Sequence, residues 1–155
     1  MCKIMENKKR EVREVREGAF ILYFEKLFRN DPLDEIFEIT KEAGADELNI
    51  SLKSLALAKN IDEKAEDLDA IIAEYSKKRS IERIAKINLA ILRLGLYEAI
   101  YAEKVPVNVA ISEAVGLAEK YAREPDVAFI NGVLGAFSRS EAARSAGKKA
   151  AEDNE

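Results

Sequence analysis

An all-α fold is what this sequence predicts, on three observations. Apolar residues recur at three- and four-residue intervals in one segment after another, no stretch alternates with period two for long enough to form a strand, and only seven glycines and three prolines interrupt 155 residues. A chain of this length is the usual size of one domain and buries about two-thirds of the surface its unfolded form exposes. With 48% hydrophobic and 35% charged residues it suits amphipathic helices and excludes collagen-like or broadly disordered classes. No internal repeat occurs at the periods of solenoids.

From Lys9 to Phe28 no proline intervenes, and Val12, Val15, Ala19, Leu22 and Lys26 fall on one stripe of a first helix. Asn30-Asp31-Pro32 stops it, because proline disfavours helical geometry in the residue before it, while Asp31 can cap the next helix. Leu33 to Ala43 reads as a short second helix closed by Gly44. Asp46 caps a long helical pattern through Leu48, Leu52, Leu55 and Ala58 that runs on to Leu68, Ile71, Ile72 and Tyr75, with a kink near Asn60 left open. Ser80 precedes Ile84, Ile87, Ile91, Leu94 and Ala99, a series too long and too periodic for a strand, which should be the central helix of the core. Val105-Pro106-Val107 breaks that run, and Asn108 can cap a helix carrying Ile111, Val115, Ala118 and Tyr121. Glu124-Pro125-Asp126 breaks it again. Val127 to Phe137 is expected to be helical although Asn131-Gly132 reads locally as a turn. Residues 1–8 are expected to form a flexible N-terminus, 9–138 the folded domain, and 139–155 a solvated tail.

The composition narrows the chemistry. There is no histidine and only one cysteine, Cys2, so a Cys/His zinc site, a histidine general base and a disulfide scaffold are all excluded. The glycines, from Gly18 to Gly147, are too scattered for a phosphate-binding loop. Glu63, Glu66, Asp67 and Asp69 form a carboxylate cluster but lack the alternating loop ligands and glycine of a calcium site. No nucleophile stands beside an evident base. The expectation is a protein that is not an enzyme and needs no cofactor or metal. The most apolar segment, Ile87 to Ile100, is interrupted by Arg93 and falls well short of the roughly 20 residues of a membrane span, and no signal-peptide run opens the chain. A cytoplasmic protein with no membrane contact is expected.

With a net charge of −4, any nucleic-acid contact must come from a local patch. The first helix offers one. Lys9, Arg13 and Arg16 are spaced by four and three and run into Phe20 and Phe24 on one face, with Lys8 and Arg10 extending the basic cluster. Cations neutralise phosphates, and aromatic rings stack on the unstacked bases of a single strand. The competing interpretation is that Glu11, Glu14 and Glu17 offset these cations by ordinary helix pairing while both phenylalanines sit in the core. Arg93, amid Leu89, Ile91, Leu92, Leu94 and Leu96, must pair, reach the surface or bind an anion, and a structural ion pair with a glutamate explains it at least as well as a ligand does.

The segments "AILRLGLYEAIY" from Ala90, "VPVNVAISEAVGLAEKY" from Val105 and "FINGVL" from Phe129 resemble, in order and spacing, the C-terminal half of the NusB family of transcription antitermination proteins. "VREGAFILYF" from Val15 resembles the family's first helix. The resemblance covers roughly residues 8 to 137 and is specific in its C-terminal half. It implies an all-α bundle of about seven helices in two subdomains, without enzymatic activity. Its members bind the boxA element of ribosomal RNA leaders as heterodimers with the ribosomal protein NusE, and help RNA polymerase read through terminators. Residues 9–138 would then be an RNA-binding domain. The RNA surface the resemblance implies comprises Lys9, Arg10, Arg13, Arg16, Arg93, Phe129 and Asn131, with either Glu124 or Asp126 in the acidic role. The partner surface falls at Phe24, Phe28 and Asn88.

Several positions depart from the family pattern. Asn88 stands where a carboxylate is usual, Ala128 and Asn108 where lysines are frequent, Ile21 where a glutamine is common and Ser112 where an asparagine is usual. These losses lead to an expectation of weaker polar RNA contacts. They also keep open a second class of function, a helical protein-interaction module that has lost sequence-specific RNA binding. Some family members form homodimers that cover the RNA surface, and the sequence leaves monomer and homodimer both open.

Overall fold

The computed structural model describes residues 2–43, 50–77, 79–141 and 143–145, and among these no strand occurs. The order is α1 (Cys2–Lys26), α2 (Leu33–Glu42), α3 (Leu52–Glu63), α4 (Ala65–Tyr75), a 3-10 turn (Ile81–Arg83), α5 (Lys86–Tyr101), α6 (Val107–Tyr121) and α7 (Glu124–Ser138). The chain divides into two compact units, Met1–Glu63 and Lys64–Glu155. The expected closing Gly44, the Asp46 cap and Leu48 lie outside the described residues.

In the first unit α1 buries Arg16, Ala19, Phe20, Leu22 and Tyr23, the three-and-four spacing that puts side chains on one helical face. The helix starts at Cys2, ahead of Lys9 where the apolar pattern begins, and residues 3–13 are exposed all round. Of the stripe read from the sequence, Ala19 and Leu22 are buried, Val15 and Lys26 half-buried and Val12 exposed. Lys26 Nζ instead donates to the Asp31 carbonyl at 2.9 Å. Asp31 is not the cap of α2: its carboxylate accepts from Arg29 Nε at 2.9 Å, and Pro32, with φ −61° and ψ 149°, occupies the cap position. Proline suits this place because its fixed φ enters a helix without a missing N–H being felt. α2 buries Leu33, Ile36, Phe37 and Thr40, and Thr40 Oγ1 donates to Glu25 Oε2 of α1 at 2.7 Å. α3 opens on Ser51, whose Oγ accepts from Ser54 N at 3.2 Å, satisfying one of the amides a helix start leaves orphaned. Ser54 Oγ in turn donates to the Val15 carbonyl at 3.0 Å, tying α3 to α1.

The long pattern, for which a kink near Asn60 was left open, runs unbroken through Asn60 and is interrupted at Lys64, between α3 and α4. In the second unit α5 is the central helix: eleven of its sixteen residues are buried, so it lacks the one-sided polarity of a surface helix. Asn108 is the second residue of α6 rather than its cap, a position taken by Pro106. Pro125 lies in the first turn of α7, where its lacking N–H costs nothing, so the proline that separates α6 from α7 also starts α7. Asp126, Ile130, Val133, Leu134 and Phe137 make the buried face of α7, while Asn131 and Gly132 point outward in mid-helix. Tertiary packing of that face overrides the local turn preference of the pair. The ring of Phe137 meets Tyr75 of α4 edge-on at 6.3 Å. Beyond Ser138, the Ser140 hydroxyl accepts from Ala143 N at 3.2 Å and Ala143 is buried.

Candidate nucleic-acid and partner surfaces

The basic face of α1 is a surface feature. Lys9, Arg10 and Arg13 are exposed and, with Glu6, Glu14 and Glu17, line a shallow depression of about 290 Å³ along the helix. Arg10 Nε lies 3.9 Å from Glu14 Oε1, with both side chains in solvent, a pair worth little in water and readily exchanged for a phosphate. Arg16 departs from this face. At 4% exposure it belongs to the buried stripe and has an interaction partner, so it does not lie on the exposed basic face. Phe20 is buried too, as the competing interpretation of the sequence held.

Phe20, Phe24 and Phe28 form an aromatic ladder, with ring centroids 5.9 Å apart in the stacked first pair and 5.0 Å in the edge-on second. The ladder grades from core to solvent. Phe24 is half-buried and Phe28, past the last residue of α1, is 60% exposed. An exposed ring packed at its inner edge is a ready anchor for a protein partner. Asn88, expected on the same partner surface, is fully enclosed, and among the described residues neither its amide nitrogen nor its carbonyl oxygen has a hydrogen-bond partner. Its place on α5 leaves it no exposed surface. A buried, unmade amide costs about 1–3 kcal/mol. Asn88→Ala should accordingly raise stability, by about 1 kcal/mol once the better helix propensity of alanine is included. Urea unfolding checks this, and a loss of stability would show that the amide has a role in the fold.

In the second unit Arg93 is not free, and Asp69 is one of its partners. Its Nε and Nη2 donate to the two oxygens of Asp69, on α4, at 2.8 and 2.7 Å, with side-chain exposures of 10% for Arg93 and 26% for Asp69. The two-pronged geometry uses the planar fork of the guanidinium. Of the two candidate acidic residues, Asp126 is buried and accepts from Arg123 Nε at 3.3 Å, whereas Glu124 is exposed. Glu124 lines a concavity of about 540 Å³ between α6 and α7 with Val115, Glu119, Val127, Ala128 and Asn131. Phe129 is half-buried beside it in sequence, and the Arg79 guanidinium lies over its ring, 4.6 Å from the centroid.

Two of these partners escape a reading of the sequence alone. Asp69 stands out there only as part of a carboxylate cluster, and nothing local marks it as the counter-ion of an arginine 24 residues away. Arg79 carries a signal, the run Lys77-Lys78-Arg79 followed by Arg83 and Lys86. Among the described residues no group of three or more His, Cys, Asp or Glu side chains could hold a metal ion, and no helix is long and apolar enough to cross a membrane.

The fold and these surfaces define a class: small all-helical proteins that present basic, aromatic and acidic recognition surfaces on two helical units. The chain belongs to the NusB family, whose model matches residues 13–139. The transcription antitermination protein NusB of Clostridium acetobutylicum is 39% identical over 121 residues, covering 77% of this chain and 89% of that protein. NusB of Clostridium botulinum is 37% identical over 139 residues, covering 79% and 96%. Among solved structures, Thermotoga maritima NusB superposes with a TM-score of 0.72 at 26% identity, covering 88% of this chain and 96% of that one. NusB in a complex of the antitermination factors NusB and NusE with double-stranded RNA does so with 0.69 at 27% identity, covering 82% and 95%.

Proposed function

We propose that this protein is a transcription antitermination adaptor that binds boxA-type single-stranded RNA of ribosomal RNA leaders together with the ribosomal protein NusE. In that role it joins the RNA polymerase antitermination complex and acts in the cytoplasm, without catalysis or cofactor. The observation that carries this reading is the extent of the family match, which spans both helical units and nearly the whole length of relatives that are antitermination proteins. The NusB relative solved with NusE and RNA supports the choice of partners.

Within this reading the α1 face of Lys9, Arg10 and Arg13 neutralises RNA phosphates. Glu124 and Asn131, exposed at the α6–α7 concavity, meet base edges, where a carboxylate accepts from amino groups, and Phe129 supports them. Arg16 and Asp126 act from the core by holding α1 and α7 in place. Arg93 would reach RNA only on leaving Asp69. Phe24 and Phe28 form the NusE-facing surface. A homodimer covering the α1 face would compete with RNA.

The test is a fluorescence-anisotropy titration of boxA RNA and a scrambled control, with and without NusE. Sequence-dependent binding that NusE strengthens is expected. Replacing Lys9, Arg10 and Arg13 together by alanine should weaken binding on the order of tenfold at low salt. It should also flatten the slope of log K against log salt by about 2, at roughly 0.7 per phosphate contact in a single strand. An unchanged slope would show the α1 face to be merely solvated.

The occupied Arg93 fork favours a second reading, a protein-interaction module without sequence-specific RNA binding. Equal, weak binding of both RNAs alongside intact NusE binding would select it.

A further inference from the structure

The α1 face does not account for the most basic part of the chain. Between Lys77 and Lys86 five cations, Lys77, Lys78, Arg79, Arg83 and Lys86, stand against one carboxylate, Glu82, a local net charge of +4 in a protein whose total is −4. Of the described cations in this segment, Lys77, Arg79, Arg83 and Lys86 are all exposed.

The segment is also held in shape. Arg79 N donates to the Ser76 carbonyl at 2.9 Å, and the buried Ser76 returns its hydroxyl to the Arg79 carbonyl at 3.0 Å. Arg83 N closes the next turn onto the Ser80 carbonyl at 3.0 Å. The pinned backbone delivers the Arg79 guanidinium onto the face of Phe129, with the rest of the arginine side chain in solvent. A guanidinium with one face on an aromatic ring leaves its other face for a second planar group, and Arg planes are among the surfaces on which unstacked bases lie.

We propose that Arg79, backed by Phe129 and flanked by Lys77, Arg83 and Lys86, is a second single-stranded RNA subsite, in which a base stacks on the guanidinium and the flanking cations meet adjacent phosphates. This rests on the RNA-binding reading above and adds to it a contact at Arg79 and its flanking cations, which that reading does not use; Phe129 serves both. The chemistry favours a single strand, because a base inside a duplex has no free face to offer. Recognition here is sequence-tolerant, since every base has a π-face.

The experiment compares the parent protein with Arg79→Lys, Arg79→Ala and the pair Lys77→Ala/Arg83→Ala. Each is titrated against labelled boxA RNA carrying single-stranded flanks and against the same RNA trimmed to boxA, at several salt concentrations. All these side chains are exposed, and thermal unfolding by circular dichroism confirms that each variant is folded.

Arg79→Lys keeps the charge and loses the plane, so affinity for the flanked RNA should fall about tenfold with the salt slope unchanged. The Lys77→Ala/Arg83→Ala pair should instead lower the slope by about 1.4. If Arg79→Lys and Arg79→Ala bind both RNAs as the parent does, the stack is a structural contact and the proposal fails while RNA binding stands. If the parent binds neither RNA, both readings fail together. Loss confined to Arg79→Ala, with Arg79→Lys at parental affinity, overturns base stacking in favour of a point-charge contact.

Discussion

Asp69→Ala should cost the second unit about 3 kcal/mol of stability, far more than an ordinary surface ion pair is worth. The substitution leaves the Arg93 guanidinium, 10% exposed and flanked on its helix by the buried Leu92 and Leu94, without the carboxylate that takes two of its hydrogen bonds. Breaking a fully buried pair typically costs about 3–5 kcal/mol. The lower end applies because Asp69 is 26% exposed and water can reach the arginine where the carboxylate was. Arg93→Met alone strands the better-hydrated Asp69 and should cost less. The double variant Asp69→Ala/Arg93→Met removes both charges together and should recover much of the loss. The measurement is urea unfolding of all four corners of the cycle; a coupling below about 0.5 kcal/mol would mean that the two groups act independently. The same variants bear on RNA. Asp69→Ala removes the two-pronged carboxylate partner of Arg93 while keeping the arginine, so tighter RNA binding by folded Asp69→Ala would mark the aspartate as a competitor for it.

The second large effect is expected at Gly95. A Cβ built there would lie 2.8 Å from the Ala114 Cβ and 3.6 Å from Leu134 Cδ1. The first contact cannot be relieved by a rotamer, because an alanine Cβ moves only with its backbone. Gly95→Ala gains about 1 kcal/mol of helix propensity and loses about 2–3 to overpacking, for a net cost of about 1–2. Gly95→Leu cannot be accommodated without separating α5 from α6 and should cost about 3 or more. The distinguishing variant is Gly95→Ala/Ala114→Gly, which moves the methyl group to the other helix. Thermal unfolding should place it close to the parent and well above the sum of the single changes. Simple additivity would show that the helices part freely and that the close approach is incidental.

Much of the helical order was legible because each helix of the two units needs an apolar face, and three- and four-residue spacing shows it directly. Boundaries were less so. The start of α1 at Cys2 is invisible to apolar periodicity, since residues 3–13 bury nothing. Asp31 and Asn108 have the side chains of caps, but a proline stands close to each, and a preset φ decided the helix start in both cases. Conversely, α7 runs through Asn131-Gly132 because its buried face outweighs a local turn preference. At the surfaces the limit was different. Spacing places Lys9, Arg13 and Arg16 on one side of α1, yet the helix meets its neighbours partway along, so the first two are exposed and the third is enclosed. Periodicity gives direction around a helix axis and says nothing about where along it the core begins. Asn88 and Arg93 lie inside for a related reason. On a helix buried on nearly every side, a polar residue is inside whichever way it points. The counter-ion of Arg93, set by how α4 packs on α5, had no local signature.

The division of the chain at Glu63 and Lys64 also bears on how the protein is made. Each unit is one uninterrupted stretch of sequence, and its helices contact neighbours near in the chain. A ribosome adds about 5–20 residues per second, so synthesis of the second unit takes several seconds, whereas helical units with local contacts fold in about a millisecond or less. All the residues that enclose Tyr23 from within the first unit have left the peptidyl-transferase centre before α5 exists. The two cores can therefore close in the order they are translated, and α1 can be set in its packed position while the rest of the polypeptide is still being synthesised.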